Sequence, residues 1–340
     1  MELQGKKILV TGGAGLIGST IIDQLLAEGV AKILVVDNFT RGTELNLEGA
    51  LASGRVSLVR EDIRNYSAIA PLFVGIDAVF HQAAIRITLC AEQPRECMEV
   101  LYQGTFNVLQ ACVESKVKKI VAASSASVYG MAETFPTAEN HHPYGNRTLY
   151  GAAKVANEGM LRSFNEMYGL PYVALRYFNV YGPRMDVFGK YTEVIIRWLD
   201  CIDKGQRPKI FGDGKQTMDF VFSEDVARAN LLAMKSEVSD EIFNVGCGEE
   251  TSLLELLQIV LKVTASDLEP EFLPERSVNP VPRRLAEVSK AQALLGFTAA
   301  TRLEDGIRKL VSWRKAVISA GNREAYEGPA TSNLASPSSL

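Results

Sequence analysis

The sequence predicts an α/β protein with a doubly wound parallel sheet and a smaller, less regular C-terminal lobe. Three features predict this fold class. A glycine-rich turn joins the first apolar strand pattern to the first apolar helix pattern. Strand and helix patterns then alternate through the first half of the chain, which is typical of a parallel sheet covered on both faces. After Gly182, glycine and proline interrupt this alternation, so we expect the second half to be less regular.

The N-terminal turn indicates what the sheet binds. Residues 6–10 form a short buried-strand pattern, and an apolar helical stripe begins at Ile17. Between them, Gly12, Gly15 and Gly18 permit a tight turn, close approach of a pyrophosphate to the backbone, and close packing of helix on sheet. The free N–H groups and the positive dipole at the helix N-terminus also favour phosphate. The turn therefore predicts a dinucleotide site on a Rossmann-type sheet.

The second strand pattern, Lys32–Asp37, predicts the identity of the cofactor. It ends in an acid 19 residues after Gly18. A carboxylate there suits the adenosine ribose 2′-hydroxyl of NAD and repels the 2′-phosphate of NADP. Arg41 lies close in sequence and weakens this discrimination, because arginine is how such folds accept the phosphate. Asp37 favours NAD as the predicted cofactor.

The remaining elements follow in order along the chain. Further strands are predicted at 56–62, 78–84, 119–125, 172–179 and 240–245, and helices at 66–73, 94–115 and 150–168. We expect residues 1–180, with a returning segment at about 223–246, to form the NAD-binding Rossmann domain. Residues 181–222 and 247–320 would form the substrate-binding lobe. The composition of residues 321–340, rich in Gly, Ser, Pro, Ala and Asn, predicts a disordered tail.

The composition excludes several classes of function. Hydrophobic residues make up 47% and charged residues 22% of the chain, and the net charge of −4 gives no basic bias for nucleic acid or anionic membranes. No apolar run approaches the length of a membrane span, and no apolar signal segment precedes the first strand. The five cysteines show no C-x-x-C pairing and predict small core residues in a reducing compartment. Three histidines do not suggest a metal site, so we expect no metal. Since neither a membrane span nor a signal segment is indicated, we expect a cytoplasmic protein.

Tyr150 and Lys154 are the candidate chemical groups. They lie four residues apart in a predicted helix and therefore share one face. A tyrosine hydroxyl, with a pKa of about 10, is a poor base at neutral pH, but a nearby ammonium and a cationic nicotinamide ring favour the phenolate. Lowering that pKa to about 7 takes roughly 4 kcal/mol, a reasonable contribution from two desolvated cations. This spacing is also common on solvated helix faces, so its meaning depends on the dinucleotide turn.

With these residues in view, the chain resembles the extended short-chain dehydrogenase/reductase family, in particular its NAD-dependent nucleotide-sugar epimerases. The resemblance runs from about residue 6 to residue 315 and consists of many motifs in the expected order. The motifs are TGGAGLIG at 11–18, DN at 37–38, DIR at 62–64, HQAA at 81–84, SSASVYG at 124–130, Tyr150 with Lys154, LRYFNVYGPR at 175–184, FGDG at 211–214 and SKA at 289–291.

The resemblance implies a role for individual residues. Ser125, Tyr150 and Lys154 would be catalytic, with Tyr150 as the base. The cofactor would be bound by Gly12, Gly15, Leu16, Ile17, Asp37, Asn38, Arg41, Asp62, Ile63, Ala83, Ala84, Arg86, Ser124, Tyr150, Lys154, Tyr177 and Phe178. The substrate would be held by Ser125, Ser127, Asn179, Phe211 and Arg276. Other interpretations are a turn cap for Ser124 or Ser127 and a plain core residue for Phe178.

The stretch after Ser125 bears on the type of reaction. By the resemblance, sugar 4,6-dehydratases carry Asp-Glu, and UDP-glucuronate decarboxylases carry a Glu, where this chain has Ala126 and Ser127. Elimination of water needs an acid and a second base. A serine cannot act as either near neutral pH, so the sequence disfavours elimination. The resemblance then implies oxidation of a sugar hydroxyl, at C4, followed by turning of the keto-sugar and return of the hydride to its opposite face. Tyr150 would take the hydroxyl proton and return it, with no net redox change.

Departures from the family pattern concern the substrate. Met218 stands where many relatives have a diphosphate-binding arginine, which removes a charge-assisted contact of about 1.5–3 kcal/mol. Arg276, Arg283 and Arg284 are candidates to replace it. Leu101 stands in place of an asparagine and alters local hydrogen bonding. A substrate unlike UDP-glucose is consistent with these changes.

Two other functions remain open. A ketoreductase or sugar dehydrogenase would use the same catalytic residues, but the reductase would consume one NADH per turnover and the dehydrogenase would form one. A non-catalytic nucleotide sensor would keep the fold for binding alone, although such proteins tend to lose the tyrosine or lysine that this chain retains. By family analogy, the helices at 94–115 and 150–168 would form a four-helix homodimer contact.

Overall fold

The computed structural model describes residues 1–188, 192–275 and 281–321. The strands, β1 to β13 in chain order, are Lys7–Thr11, Lys32–Asp37, Val56–Arg60, Ala78–His81, Lys119–Ser125, Tyr172–Tyr177, Asn179–Tyr181, Lys209–Phe211, Thr217–Met218, Phe220–Phe222, Glu241–Val245, Thr251–Ser252 and Glu271–Leu273. The helices, α1 to α12, are Leu16–Ala27, Glu48–Ala52, Tyr66–Ile69, Ile87–Glu92, Pro94–Met98, Thr105–Glu114, Leu149–Tyr168, Val194–Asp203, Ser223–Lys235, Leu253–Thr264, Ser289–Leu295 and Leu303–Ser319.

Seven strands form one parallel sheet, in the order β3-β2-β1-β4-β5-β6-β11. Alternate residues of each strand enter two different cores: Ile8 and Val10 pack with α1 and α9, whereas Leu9 packs with α6 and α7. Burial on both faces explains why the strands read as continuous apolar runs. The predicted doubly wound parallel sheet is confirmed. Strand order reverses between β1 and β4, where sheets of this kind bind ligands beyond their carboxyl ends.

The C-terminal part of the chain is less regular, as predicted. It contributes two-stranded pairs, β7 with β10, β9 with β12 and β8 with β13. A separate apolar core lies among α8, α10 and α12, with Trp198, Leu256 and Leu310 fully buried. The predicted tail at 321–340 lies outside the described residues beyond Gly321, and so does Arg276.

Several predicted elements have different bounds. The predicted helix at 94–115 consists of α5, a π-helical segment at Glu99–Gly104, and α6. The predicted strand at 172–179 divides, because β6 ends at Tyr177 and β7 pairs with β10 instead of the large sheet. Predicted strands at 56–62 and 78–84 end two or three residues early, at Arg60 and His81. There the chain leaves the sheet and forms the loops at its carboxyl edge.

Two cysteines are paired, which the spacing did not indicate. Cys90 of α4 and Cys97 of α5 form a disulfide. Gln93, with φ −128° and ψ 71°, separates the two short helices and brings the two Cα atoms to 4.8 Å. The prediction that cysteines are core residues holds for these two and for Cys112, but C-x-x-C spacing was the wrong criterion for pairing.

None of the helices in residues 1–188, 192–275 and 281–321 combines the length and hydropathy that a membrane crossing requires. Within the same ranges, no group of three His, Cys, Asp or Glu side chains is arranged to hold a metal ion.

Candidate active site

A cavity of about 930 Å³ lies over the carboxyl ends of the central strands. Every predicted site residue that the structure describes lines this cavity. Its lining includes Gly12, Gly15, Leu16, Ile17, Asp37, Asn38, Arg41, Asp62, Ile63, Ala83, Ala84, Arg86, Ser124, Ser125, Ser127, Tyr150, Lys154, Tyr177, Phe178, Asn179 and Phe211. The exception is Arg276, which lies outside the described ranges.

The three glycines of the first turn have distinct environments. Gly12 has φ +66°, and a Cβ there would lie 2.6 Å from the Ala83 nitrogen. A Cβ on Gly18 would lie 2.3 Å from the Gly12 oxygen, so only glycine lets α1 pack this closely on the turn. At Gly15, by contrast, a Cβ would meet the protein only at 3.4 Å and would project beside the cavity. Gly12 and Gly18 are therefore required by the fold, while Gly15 leaves space for a ligand.

The rim above this turn fits the diphosphate of a dinucleotide. Helix α1 has no side-chain cap at Gly15, so the N–H groups of its first turn are free to donate. The Nε and Nη1 atoms of Arg86 are buried without a hydrogen-bond partner in the described part of the chain. The carboxylates of Asp186 and Glu193 approach only its Nη2 atom, at 3.7 and 3.9 Å. A buried guanidinium with two unpartnered donor atoms, beside free N–H groups, suits a bound diphosphate.

The far end of the cavity carries the acids predicted for the adenosine. Asp37 is 8% exposed, and its two carboxylate oxygens accept from the Ala14 and Phe39 N–H groups at 2.9 and 2.8 Å. Each oxygen keeps a further lone pair for a ribose hydroxyl. The Asp62 carboxylate accepts a hydrogen bond from the Asn38 side-chain amide at 2.8 Å and forms an ion pair with Arg64 at 2.8 Å. The two acids are thus held by the ends of adjacent strands, β2 and β3.

Helix packing brings Tyr150 to Ser125. The Thr148 hydroxyl caps α7 by accepting from the Gly151 N–H at 3.1 Å. A Cβ on Gly151 would lie 2.5 Å from the Ser127 carbonyl, so glycine lets the helix touch the loop after β5. The Ser125 hydroxyl lies close enough to the Tyr150 phenol to favour its ionised form, and it accepts from the Ser127 N–H at 3.1 Å. Ser125 therefore caps this turn, instead of Ser124 or Ser127.

Burial, one hydroxyl and several charges act on Tyr150. Burial raises the pKa of Tyr150, and the Ser125 hydrogen bond and the charges of Arg41 and Arg284 oppose that rise. The Lys154 ammonium lies 5.8 Å from the centre of the Tyr150 ring and donates to the Ala123 carbonyl at 2.7 Å. Burial lowers the pKa of Lys154 to about 8. The predicted effect of Lys154 on Tyr150 stays a prediction, and one donor of its head group is used on the backbone of β5.

Three other predicted residues are tied into buried contacts. The Ser124 hydroxyl donates to the Glu158 carboxylate at 2.5 Å. The Tyr177 hydroxyl lies 3.0 Å from both the Gln82 and Asn230 side-chain oxygens. Phe178 packs in a small apolar cluster. Each lines the cavity, but each also holds neighbouring elements together.

The arginines considered for the substrate diphosphate separate in the structure. Met218 lines the cavity on β9, as expected for the position of the missing arginine. Arg283 makes two hydrogen bonds of 2.6 Å to Glu250 and stacks over Phe135, so its charge is neutralised. Arg284 has its charge close enough to Tyr150 to interact with it. Arg283 is thus paired with an acid, whereas the charge of Arg284 acts on Tyr150.

Sequence reasoning missed part of the cavity wall. The C-terminal lobe adds charged side chains at Asp186, Glu193, Arg197 and Lys209. These residues come from α8, from the start of β8 and from irregular segments around them, where no motif or period marks an inward-facing position. Packing of α8 in the core that it shares with α10 and α12, through residues such as Trp198, places this helix beside the cavity.

Comparison with known proteins gives relatives over most of the chain. A sequence model described as the NAD dependent epimerase/dehydratase family matches residues 8–246. The UDP-glucose 4-epimerase of Mycolicibacterium smegmatis is 34% identical over 310 residues, covering 90% of this chain and 98% of that protein. The UDP-N-acetyl-alpha-D-glucosaminuronate decarboxylase of Bacillus cytotoxicus is 32% identical over 318 residues, covering 91% and 97%.

A solved structure adds a ligand-bound comparison. The UDP-glucuronic acid 4-epimerase of Bacillus cereus, in complex with UDP-glucuronic acid and NAD, has a TM-score of 0.82 and 29% identity, covering 92% of this chain and 99% of that chain. The proteins to which this chain is similar thus include epimerases and a decarboxylase of nucleotide sugars.

Proposed function

The chain belongs to the NAD dependent epimerase/dehydratase family, and on that premise we propose that it is an NAD-dependent epimerase of a nucleotide-activated sugar. The sugar is oxidised transiently at C4 to a keto-sugar and reduced again on the opposite face. One observation carries the proposal: Ser125, Tyr150 and Lys154 line the same cavity as the glycine turn, with no acid at positions 126 and 127. The 4-epimerases among the relatives support it.

The chain's own residues supply proton transfer and positioning. Tyr150 removes the proton of the C4 hydroxyl and returns it, and the Ser125 hydroxyl donates a hydrogen bond to the reacting oxygen. NAD, held by the glycine turn and the two acids of β2 and β3, would supply a reversible hydride acceptor. Lys154 uses one donor on the Ala123 carbonyl and keeps two for the ribose of the cofactor. Met218 and Phe211 line the substrate side, beside Asn179.

Elimination chemistry has less support. The decarboxylase relative shows that the family includes other reactions. Decarboxylation or dehydration needs a second proton-transfer group, and Ser127 has no suitable pKa for it near neutral pH. A net ketoreductase would use the same three residues, so turnover of the cofactor distinguishes it from an epimerase.

The proposal also assigns a separate binding role to each of the two parts of the chain. Residues 1–180 with 223–246 would bind NAD, and residues 181–222 with 247–320 would hold the sugar nucleotide. The position of the cavity between the central sheet and α8 supports this division. A cytoplasmic location stays a prediction from the sequence.

Incubation with UDP-, GDP-, CDP- and dTDP-sugars, followed by proton NMR, should give an isomerised sugar from at least one nucleotide class. Cofactor absorbance should show no net formation or consumption of NADH, since each cycle regenerates NAD. Stoichiometric NADH consumption would instead identify a ketoreductase, and release of carbon dioxide or formation of a deoxysugar would identify elimination.

A homodimer through α6 and α7 is also proposed. Large apolar side chains are exposed along these helices and the segment before them: Met98 is 40%, Tyr102 43%, Phe106 43% and Met167 66% exposed. Exposed apolar patches of this kind mark protein–protein contacts. Burial of this face against a second copy would remove it from water.

Replacing both Tyr102 and Phe106 by Glu should convert a dimer into a monomer in sedimentation velocity. We expect dimer affinity to fall about 100-fold or more, because two aromatic anchors become charged groups. Phe272→Glu is the matched control, since Phe272 is 54% exposed on β13, away from these helices. A wild type that sediments as a monomer, or a double variant that stays dimeric, contradicts the interface.

A further inference from the structure

Helix α7 carries a buried acid one turn beyond Lys154. Glu158 is 7% exposed, and the spacing of four residues places it on the same face of the helix as Tyr150 and Lys154. Tyr150 and Lys154 line the cavity, whereas Glu158 does not, and it takes no part in the proposed proton transfer. A buried carboxylate is costly unless it is paired and hydrogen-bonded, so its partners indicate why it lies there.

The Glu158 carboxylate contacts two adjacent strands of the large sheet. One oxygen accepts from the Ser124 hydroxyl of β5 at 2.5 Å and from the Arg176 Nε atom of β6 at 2.8 Å. The other oxygen accepts from the Arg176 Nη2 atom at 2.7 Å. Ser124 and Arg176 are direct partners in the register of β5 with β6, and each is the second-last residue of its strand. Glu158 therefore joins α7 to the carboxyl ends of both strands.

Arg176 neutralises Glu158 and is itself enclosed. The two side chains form an ion pair in which Arg176 is 9% and Glu158 8% exposed. The Nη1 atom of Arg176 donates to the Glu139 carbonyl at 2.9 Å, and the guanidinium lies 4.8 Å from the centre of the Tyr129 ring. Removing one member of such a pair is strongly destabilising, because the other charge is left buried and unpaired. The ion pair thus holds the carboxylate beside Ser124.

Two contacts, one helical turn apart, fix how α7 lies along β5. The Lys154 ammonium donates to the Ala123 carbonyl at 2.7 Å, and the Ser124 hydroxyl donates to Glu158. Both contacts reach the strand residues that directly precede Ser125. A slide of the helix by one residue would move its side chains by about 1.5 Å along the axis and lengthen both hydrogen bonds. The two contacts therefore set the position of the helix relative to Ser125.

We propose that Glu158 is a positioning residue that sets the register of α7 on β5 and thereby places the Tyr150 phenol at the Ser125 hydroxyl. The inference rests on the proposed function and deepens it, because proton transfer depends on where these two oxygens lie. A displacement of about 1 Å between reacting groups can lower a rate about 100-fold. Arg176 contributes by neutralising the acid that makes the contact.

Two double variants separate this contact from the buried charge. Arg176→Met removes the cation in both. Combined with Glu158→Gln, it keeps the length of the side chain and a carbonyl oxygen that can accept from Ser124. Combined with Glu158→Ala, it removes that acceptor. Both proteins lose the same two charges, so a difference between them reports the contact with Ser124.

E158A/R176M should turn over about 10- to 100-fold more slowly than E158Q/R176M. The KM for the nucleotide sugar and the affinity for NAD should agree within about threefold between the two, because a misplaced base lowers kcat without removing uniform binding. Isomerisation followed by proton NMR and NAD binding followed by calorimetry give these values.

Asp225→Asn is the matched control for a general loss of stability. Asp225 of α9 is 3% exposed, forms an ion pair with Arg228 at 2.6 Å and lies outside the cavity. This variant should lower the thermal unfolding midpoint and leave turnover unchanged at temperatures well below that midpoint.

The placement of Ser125 can also be measured without turnover. Ultraviolet difference titration of the NAD-loaded protein, with the matching variant that also carries Tyr150→Phe subtracted, isolates the signal of this one phenol. Its midpoint should lie about half to one pH unit higher in E158A/R176M than in E158Q/R176M, because a hydrogen bond to the phenolate oxygen is weakened.

Equal turnover and equal midpoints in the two double variants overturn the proposal. So does a loss of NAD affinity as large as the loss of turnover, since it would indicate a general disruption of the cavity. If a double variant fails to fold, Ser124→Ala decides, because it removes the same hydrogen bond and keeps the ion pair. Its turnover should fall about tenfold and its Tyr150 midpoint should rise, and no change in either refutes the role of Glu158. If the midpoints differ but no nucleotide sugar is isomerised, the proposed function fails while the positioning role stands.

Discussion

Replacing Tyr150 by Phe is expected to lower turnover about 10²–10⁴-fold while the protein still binds NAD. Phenylalanine keeps the ring that packs at the start of α7 and removes only the hydroxyl that contacts Ser125. Cofactor affinity should change by no more than the loss of one hydrogen bond, about 1 kcal/mol. Isomerisation followed by proton NMR, and NAD binding followed by calorimetry, measure the two effects separately.

The pH dependence gives a second test of Tyr150. Because burial raises the pKa of Tyr150, the phenolate fraction, and with it turnover, should rise with pH in the wild type. The Y150F variant should lack this rising limb. Tyr144→Phe serves as the control, since Tyr144 is 80% exposed and lies outside the cavity. Unchanged turnover in Y150F would remove Tyr150 from the mechanism.

Replacing Asp37 by Ala should shift the relative affinity toward NADP by about 10- to 100-fold. Removing the carboxylate removes repulsion of a 2′-phosphate, an interaction of roughly 2–4 kcal/mol at short range. Arg41, from the loop after β2, lines the same cavity, but its charge acts on Tyr150, Arg86 and Glu193. Fluorescence titration with each cofactor measures the ratio of dissociation constants.

Asp62→Ala is the matched control for Asp37. It also removes an acid from the adenosine end, but it should weaken both cofactors alike, because Asp62 is not expected at the 2′ position. The wild-type preference for NAD should decline as the pH falls, since burial raises the pKa of Asp37 and allows it to protonate sooner than an ordinary aspartate. A wild type that binds NADP as tightly as NAD contradicts the role given to Asp37.

Much of the site could be predicted from the sequence because it depends on local geometry. The carboxyl ends of parallel strands meet at one edge, so residues just after each strand pattern, such as Gly12, Asp37 and Ser125, had to come together. The turn glycines are local as well, since φ +66° at Gly12 is a property of a few consecutive residues. Motif order then added the family.

The amino-acid sequence by itself determined the parallel sheet, its dinucleotide turn and the group of Ser125, Tyr150 and Lys154. Only the tertiary structure decided that the charges of Arg41 and Arg284 act on Tyr150, and that Arg283 is paired with an acid. It also decided that Cys90 and Cys97 are paired. The physical reason is that pattern and turn chemistry act over a few residues, whereas burial and charge depend on groups far apart in the chain. Lys154 is four residues from Tyr150, yet its ammonium donates to the Ala123 carbonyl of β5, a contact that helix spacing does not specify.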